Sequence, residues 1–101
     1  MGQLTKVAGK ADIPAGTGKV VQVNGKAVAV FNCAGQFYAI DNTCKHRGGP
    51  LAEGSLSGTS VSCPWHGWEY DVKTGACQMD PSITVQTFPV TMQGDDVLVS
   101  I

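Results

Sequence analysis

The sequence predicts a small all-β domain, an antiparallel sandwich or barrel. Three observations carry this. Asn24-Gly25 stands between two apolar alternating runs, and Asn-Gly suits a type I′ hairpin turn, which needs positive φ at both central residues. Short strand-like runs recur at even spacing, separated by many of the 13 glycines and 5 prolines, the composition of a β-sandwich or barrel. No segment keeps a 3.6-residue apolar period, so any helix is brief.

The elements follow in order. "KVVQV" and "KAVAVF" form the hairpin around Asn24-Gly25. "AVAVFN" and "QFYAI" form a second around Ala34-Gly35. Next come "SVSC", then "WEYDV", then the turn "KTG". The chain closes with "TVQTFPVTM", a turn at "QGDD", and "VLVSI". Two stretches interrupt the strands, Asp41 to Gly54 and Cys63 to Gly67. Both are rich in Gly and Pro and read as loops on a rigid sheet, where functional groups are commonly mounted.

Size and charge exclude several functions. A chain of 101 residues fits one domain, 1–101, with one modest core. The formal net charge is −1 and Lys45, Arg47 and Lys73 form no run, which argues against nucleic-acid binding. The longest apolar run is "AVAVF", far below the roughly 20 residues that span a bilayer. The opening "MGQLTKVAGKADIP" lacks the apolar centre of a signal peptide, and Lys6 stands where a myristoylation motif has Ser or Thr. The expectation is a cytoplasmic protein with no membrane contact. In that compartment the four cysteines are expected to bind metal or fill core space and not to form disulfides.

The chemistry concentrates in two places. The chain has two histidines, and each follows a cysteine: Cys44-x-His46, then a sixteen-residue gap, then Cys63-x-x-His66. Thiolates and imidazoles are ligands for zinc, copper and iron–sulfur centres. A zinc-stabilised binding module is one reading, although Cys₂His₂ zinc sites usually separate a cysteine pair from a histidine pair. A two-iron cluster suits mixed pairs better, with both thiolates on one iron and both imidazoles on the other.

The stretches "CKHRGGPLAEG", Cys44–Gly54, and "CPWHGWEYDVKTG", Cys63–Gly75, resemble the two cluster-binding motifs of Rieske proteins. The likeness extends past the ligands over about 30 residues. It implies an antiparallel base carrying an inserted cluster-binding subdomain of two ligand loops, at about 42–80. It implies one [2Fe–2S] cluster per chain, with Cys44 and Cys63 on the buried iron and His46 and His66, through Nδ1, on the outer one. It also implies a third, proline-containing loop over the cluster, for which "QMDPS", Gln78–Ser82, is placed. Two ferric ions, two sulfides and two thiolates make a neutral core, which accepts an electron more readily than one with four thiolates. The function implied is one-electron transfer, with the cluster carrying the chemistry and no further catalytic site.

Departures from the respiratory members of the family narrow the reading. Their loops carry an extra disulfide-forming cysteine each; here those positions hold Gly49 and Trp65. Trp68 stands where they place a serine that donates to cluster sulfur, so the reduced state loses a donor and the potential is expected near the low end of about −150 to +300 mV. Tyr70 keeps a phenol where the family uses one against a cysteine sulfur. Cys33 and Cys77 do not occupy the disulfide positions and read as buried free thiols. "HRG" and "HGW" are similar to the Rieske domain of ring-hydroxylating oxygenases, but no third histidine is present for their mononuclear iron. The resemblance therefore implies a ferredoxin that passes electrons from an NAD(P)H-dependent flavin reductase to a terminal oxygenase or other redox enzyme. The small subunit of an assimilatory nitrite reductase is the second reading. Gly48, Gly49 and Gly67 serve either as turn residues or as close backbone donors to sulfur, and Trp65 and Trp68 either shield the cluster or fill the core. Pro50, Leu51, Trp65 and Pro81 are expected to form an apolar rim for a partner.

Overall fold

The computed structural model describes residues 4–44, 49–65 and 67–101. Among the described residues there are ten strands: β1 (Leu4–Gly9), β2 (Thr17–Val23), β3 (Lys26–Cys33), β4 (Gln36–Asp41), β5 (Ser55–Ser57), β6 (Ser60–Ser62), β7 (Glu69–Asp71), β8 (Thr87–Phe88), β9 (Val90–Gln93) and β10 (Asp96–Ser100). Two 3₁₀ turns, Lys10–Asp12 and Leu51–Glu53, are the helical pieces among the described residues. The strands form three antiparallel sheets with orders β1-β10-β9, β2-β3-β4-β8 and β5-β6-β7. The all-β antiparallel reading holds.

Both expected hairpins form. Asn24 and Gly25 take φ of 51° and 79°, and Ala34 and Gly35 take 54° and 95°, so each turn has positive φ at both central positions. Ala34 does this without a glycine's freedom. Asn32 holds the second turn: its side-chain carbonyl accepts the Gly35 N–H at 2.7 Å, and its amide donates to the Ile13 carbonyl at 2.7 Å.

The middle sheet is a wall between two cores. Alternate side chains of a strand point to opposite faces. Val28 and Val30 of β3 pack with Ile13, Phe37, Phe88, Val97 and Val99 against the β1-β10-β9 sheet. Ala29, Phe31 and Cys33 pack with Ile40, Leu51, Val61, Tyr70 and Val85 on the other side. This explains "AVAVF": a strand covered on both faces reads as a continuous apolar run. The second core also contains Cys44 and Cys63.

Three sequence expectations change. β1 was not anticipated: its residues show little apolar alternation, and it forms by pairing with β10 across a register shift between Lys6 and Ala8. β5, "SLS", carries one apolar residue and was also not anticipated; it exists through pairing with β6. "TVQTFPVTM" is not one strand. It breaks at Pro89, with β8 on β4 and β9 on β10, because proline lacks the N–H that a continuing ladder needs.

Candidate metal centre

Each cysteine-led loop leaves the scaffold through a narrow neck. The Cys44 N–H donates to the Gly49 carbonyl at 3.0 Å, and Thr43 pairs with Pro50 in a single bridge. The Cys63 N–H donates to the Trp68 carbonyl at 2.7 Å, and the Gly67 N–H donates to the Cys63 carbonyl at 2.9 Å. Both necks thus close between residues five positions apart, with the cysteine at the first position of each.

Asn42 anchors the first neck, and sequence reasoning did not single it out. Its N–H donates to the Ala27 carbonyl at 3.1 Å and its carbonyl accepts the Leu51 N–H at 2.8 Å. Its side-chain oxygen accepts the Ala52 N–H at 2.8 Å. The loop's departure and return are therefore fixed by one residue. Beside it, Asp41 accepts the Thr43 N–H at 3.0 Å and faces the Lys26 ammonium at 3.7 Å. An asparagine at a strand end favours such local bonds, but only the return of residues 51 and 52 makes it an anchor.

The motif residues beyond the cysteines build the floor. Leu51 is fully buried, so it belongs to the core and not to the apolar rim expected of it. A side chain at Gly54 would collide with the Ser62 carbonyl, so this glycine lets the first loop's return pass against β6 just before Cys63. Gly75 has φ of 79°, and a Cβ there would collide with the Val85 carbonyl. Tyr70 is fully buried with its hydroxyl 3.4 Å from the Cys44 sulfur, where the expected phenol–sulfur contact places it. Its backbone pairs with Cys77, whose N–H donates to the Ile83 carbonyl at 2.8 Å.

The described parts of the site are sulfur-rich and close to backbone. Cys44 and Cys63 are both buried. A Cβ at Gly49 would lie 2.7 Å from the Cys63 sulfur and 3.2 Å from two indole atoms of Trp65. Two buried thiols, a phenol against one of them and a bare backbone against the other form a donor set that fits an iron–sulfur group. His46 and His66 lie outside the described residues, as do Lys45, Arg47 and Gly48. Among the described residues no three His, Cys, Asp or Glu side chains gather as a metal-holding group.

The other candidates separate. Trp68 is half-buried against the core, whereas Trp65 is 57% exposed. Gly67 has φ of +76° with open space around it, so backbone conformation explains that glycine. Pro81 is exposed in a loop tied by Asp80, whose carboxylate accepts the Ser82 hydroxyl at 2.7 Å and N–H at 3.2 Å. These bonds hold the Asp80 carboxyl below the usual range. Cys33 and Cys77 are buried and free, and burial, with Asp71 adding, pushes the Cys33 thiol up.

A model of the Rieske [2Fe–2S] domain matches residues 3–89. The chain belongs to the Rieske [2Fe–2S] domain family. Among relatives of this Rieske chain, the ferredoxin component of a naphthalene 1,2-dioxygenase/salicylate 5-hydroxylase system from a Ralstonia species is 36% identical over 88 residues, covering 86% of this chain and 85% of that one. The solved ferredoxin of carbazole 1,9a-dioxygenase from Nocardioides aromaticivorans IC177 is 28% identical with a TM-score of 0.91, covering 97% of both chains. A ferredoxin-sized chain in a solved complex of reduced oxygenase and oxidized ferredoxin of carbazole 1,9a-dioxygenase is 32% identical, with a TM-score of 0.88 over 96% of this chain and 92% of that one. A solved protein described as a nitrite reductase (NADPH) small subunit is 21% identical with a TM-score of 0.85 over 98% of this chain and 99% of that one; this likeness carries the fold alone.

Proposed function

We propose that this chain is the ferredoxin of a multi-component oxygenase, passing single electrons from an NAD(P)H-dependent flavin reductase to a terminal oxygenase. Cys44, His46, Cys63 and His66 hold one Rieske [2Fe–2S] cluster, the cysteines on the inner iron and the histidines on the outer. The observation that carries this reading is the pair of matched necks, each opening on a buried cysteine and each enclosing the histidine of its motif in sequence. Relatives that are ferredoxin components of aromatic dioxygenase systems, similar along most of their length, support the role of carrier and not catalyst. The solved oxygenase–ferredoxin complex supports a terminal oxygenase as the acceptor.

When bound, the cluster supplies a one-electron couple tuned by its ligands and surroundings. The protein holds the thiols at the loop necks, sets the Tyr70 phenol against one sulfur, and brings bare backbone at Gly49 against the other. The reading places the protein in the cytoplasm, and no helix among the described residues is long and apolar enough to cross a membrane.

The test is direct. Purified protein is expected to be red-brown, to contain two irons and two sulfides per chain, and to give an EPR signal after reduction. A flavin reductase with NAD(P)H should reduce it, and a terminal oxygenase should reoxidise it. Alanine at any one of Cys44, His46, Cys63 or His66 should abolish the colour. A colourless protein with one zinc per chain overturns the cluster. Co-purification with a sirohaem enzyme in place of an oxygenase overturns the choice of partner.

A further inference from the structure

We propose that Gly49 and Trp65 form a noncovalent clasp between the two cysteine loops, with the Trp65 indole as the group that positions and shields the Cys63 sulfur. The proposal rests on the cluster reading above. Three parts of the molecule meet at Gly49. Its carbonyl accepts the Cys44 N–H that closes the first neck, at 3.0 Å. From the second loop come the Cys63 sulfur, 2.7 Å from where a Cβ would stand, and the indole Cγ and Cδ2 of Trp65, each at 3.2 Å.

Backbone conformation does not demand a glycine here. Gly49 is absent from the positive-φ glycines, unlike Gly67 of the other loop, which has positive φ and nothing within 4 Å. The two glycines therefore serve different needs. Gly67 permits a turn, whereas Gly49 permits contact, because real Cβ atoms do not approach a sulfur this closely. Any side chain at 49 drives the Cys63 sulfur or the indole away.

Trp65 is not placed there by core burial. It is 57% exposed, while Gly49 beneath it is buried. One part of a large apolar ring lies on the glycine and the rest faces solvent. Such a ring contributes little to the core, but it keeps water from the Gly49 backbone and the adjoining sulfur. Solvent access near a cluster sulfur sets how well the added electron is stabilised and how readily iron is lost. The indole thus acts through the Cys63 sulfur as a positioning residue.

The experiment compares cluster-loaded wild type with Trp65→Phe, Trp65→Ala and Gly49→Ala. The readouts are iron and sulfide content, midpoint potential, the rate of visible bleaching in excess chelator, and the thermal unfolding midpoint. Trp65→Ala should bleach about tenfold faster and shift the potential positive, since water then reaches the reduced core. Its unfolding midpoint should stay within about 3 °C of wild type, as for an exposed substitution. Trp65→Phe, which keeps a flat ring on the glycine, should restore most of the wild-type rate and potential. Gly49→Ala should change the visible circular dichroism by displacing the Cys63 sulfur, and if it does not fold, the two Trp65 variants decide. Trp65→Ala with wild-type bleaching and potential overturns the clasp, as does faster bleaching that merely tracks a lower unfolding midpoint in both Trp65 variants. Wild type lacking iron and sulfide overturns the cluster reading instead.

Discussion

The Tyr70 hydroxyl lies 3.4 Å from the Cys44 sulfur inside the core. A thiolate bound to iron has no proton, so in the loaded protein the phenol is the donor. The bond strengthens as negative charge on sulfur grows, and it therefore favours the reduced state. Tyr70→Phe should lower the midpoint potential by tens of millivolts, taking about 1 kcal/mol of differential stabilisation as roughly 40 mV for one electron. Protein-film voltammetry checks this; an unchanged or raised potential contradicts it.

Loss of the Trp68-position hydroxyl donor sets the starting point for that shift. The wild-type midpoint should lie near the low end of the Rieske range, about −150 to +300 mV. A value well above zero would refute this.

Asn42→Ala should remove the side-chain anchor of the first loop without touching a thiol. The lost bond to the Ala52 N–H costs about 1 kcal/mol. A melting point about 4–8 °C lower follows, with faster cluster loss. Asn42→Asp retains the acceptor and should recover most of the difference. Equal melting points for Asn42→Ala and wild type would remove its anchoring role.

Glycine substitutions should rank by what surrounds them. Gly58 has φ of +61° and no neighbour within 4 Å, so Gly58→Ala meets only the left-handed backbone penalty, about 1–2 kcal/mol. Gly75→Ala meets that penalty and the Val85 carbonyl, so it should be clearly worse. Gly54→Ala has no positive φ but meets the Ser62 carbonyl. Denaturant unfolding of the three measures the order, and a Gly75→Ala no worse than Gly58→Ala contradicts it.

Cys33 links stability to pH. Its thiol is pushed up by burial first and Asp71 second. In the unfolded chain the thiol loses its proton at lower pH than in the native protein. The contribution to stability is therefore full below the ordinary thiol range and is lost as pH rises through the raised native value. Unfolding free energy should fall at alkaline pH in wild type, and Cys33→Ala should remove that part of the fall. Identical pH dependence in both proteins counts against it.

Local chemistry made some of this legible in the sequence. Asn24-Gly25 marks its turn because few residue pairs accept positive φ twice, and the Cys44, His46, Cys63 and His66 pattern points to the metal site proposed above because those side chains have little else in common. Other features depended on partners far along the chain. β1 and β5 are strands because of β10 and β6, and the long run around Pro89 is divided because its halves join different sheets. Leu51 reads as a rim residue beside a ligand loop, yet the 3₁₀ turn carries it into the core.

By itself the sequence determined the all-β class, the two cysteine loops and the Rieske resemblance, since each resides in short-range pattern: turn chemistry, alternation and ligand spacing. Only the tertiary structure decided why the motif glycines and Asn42 stand where they do. Gly54 meets Ser62, Gly75 meets Val85, Gly49 meets Cys63 and Trp65, and Asn42 meets Ala27, Leu51 and Ala52. Most of these are close approaches between segments distant in sequence or on opposite sides of a loop. Steric exclusion and hydrogen bonding across such gaps act only once the chain has folded.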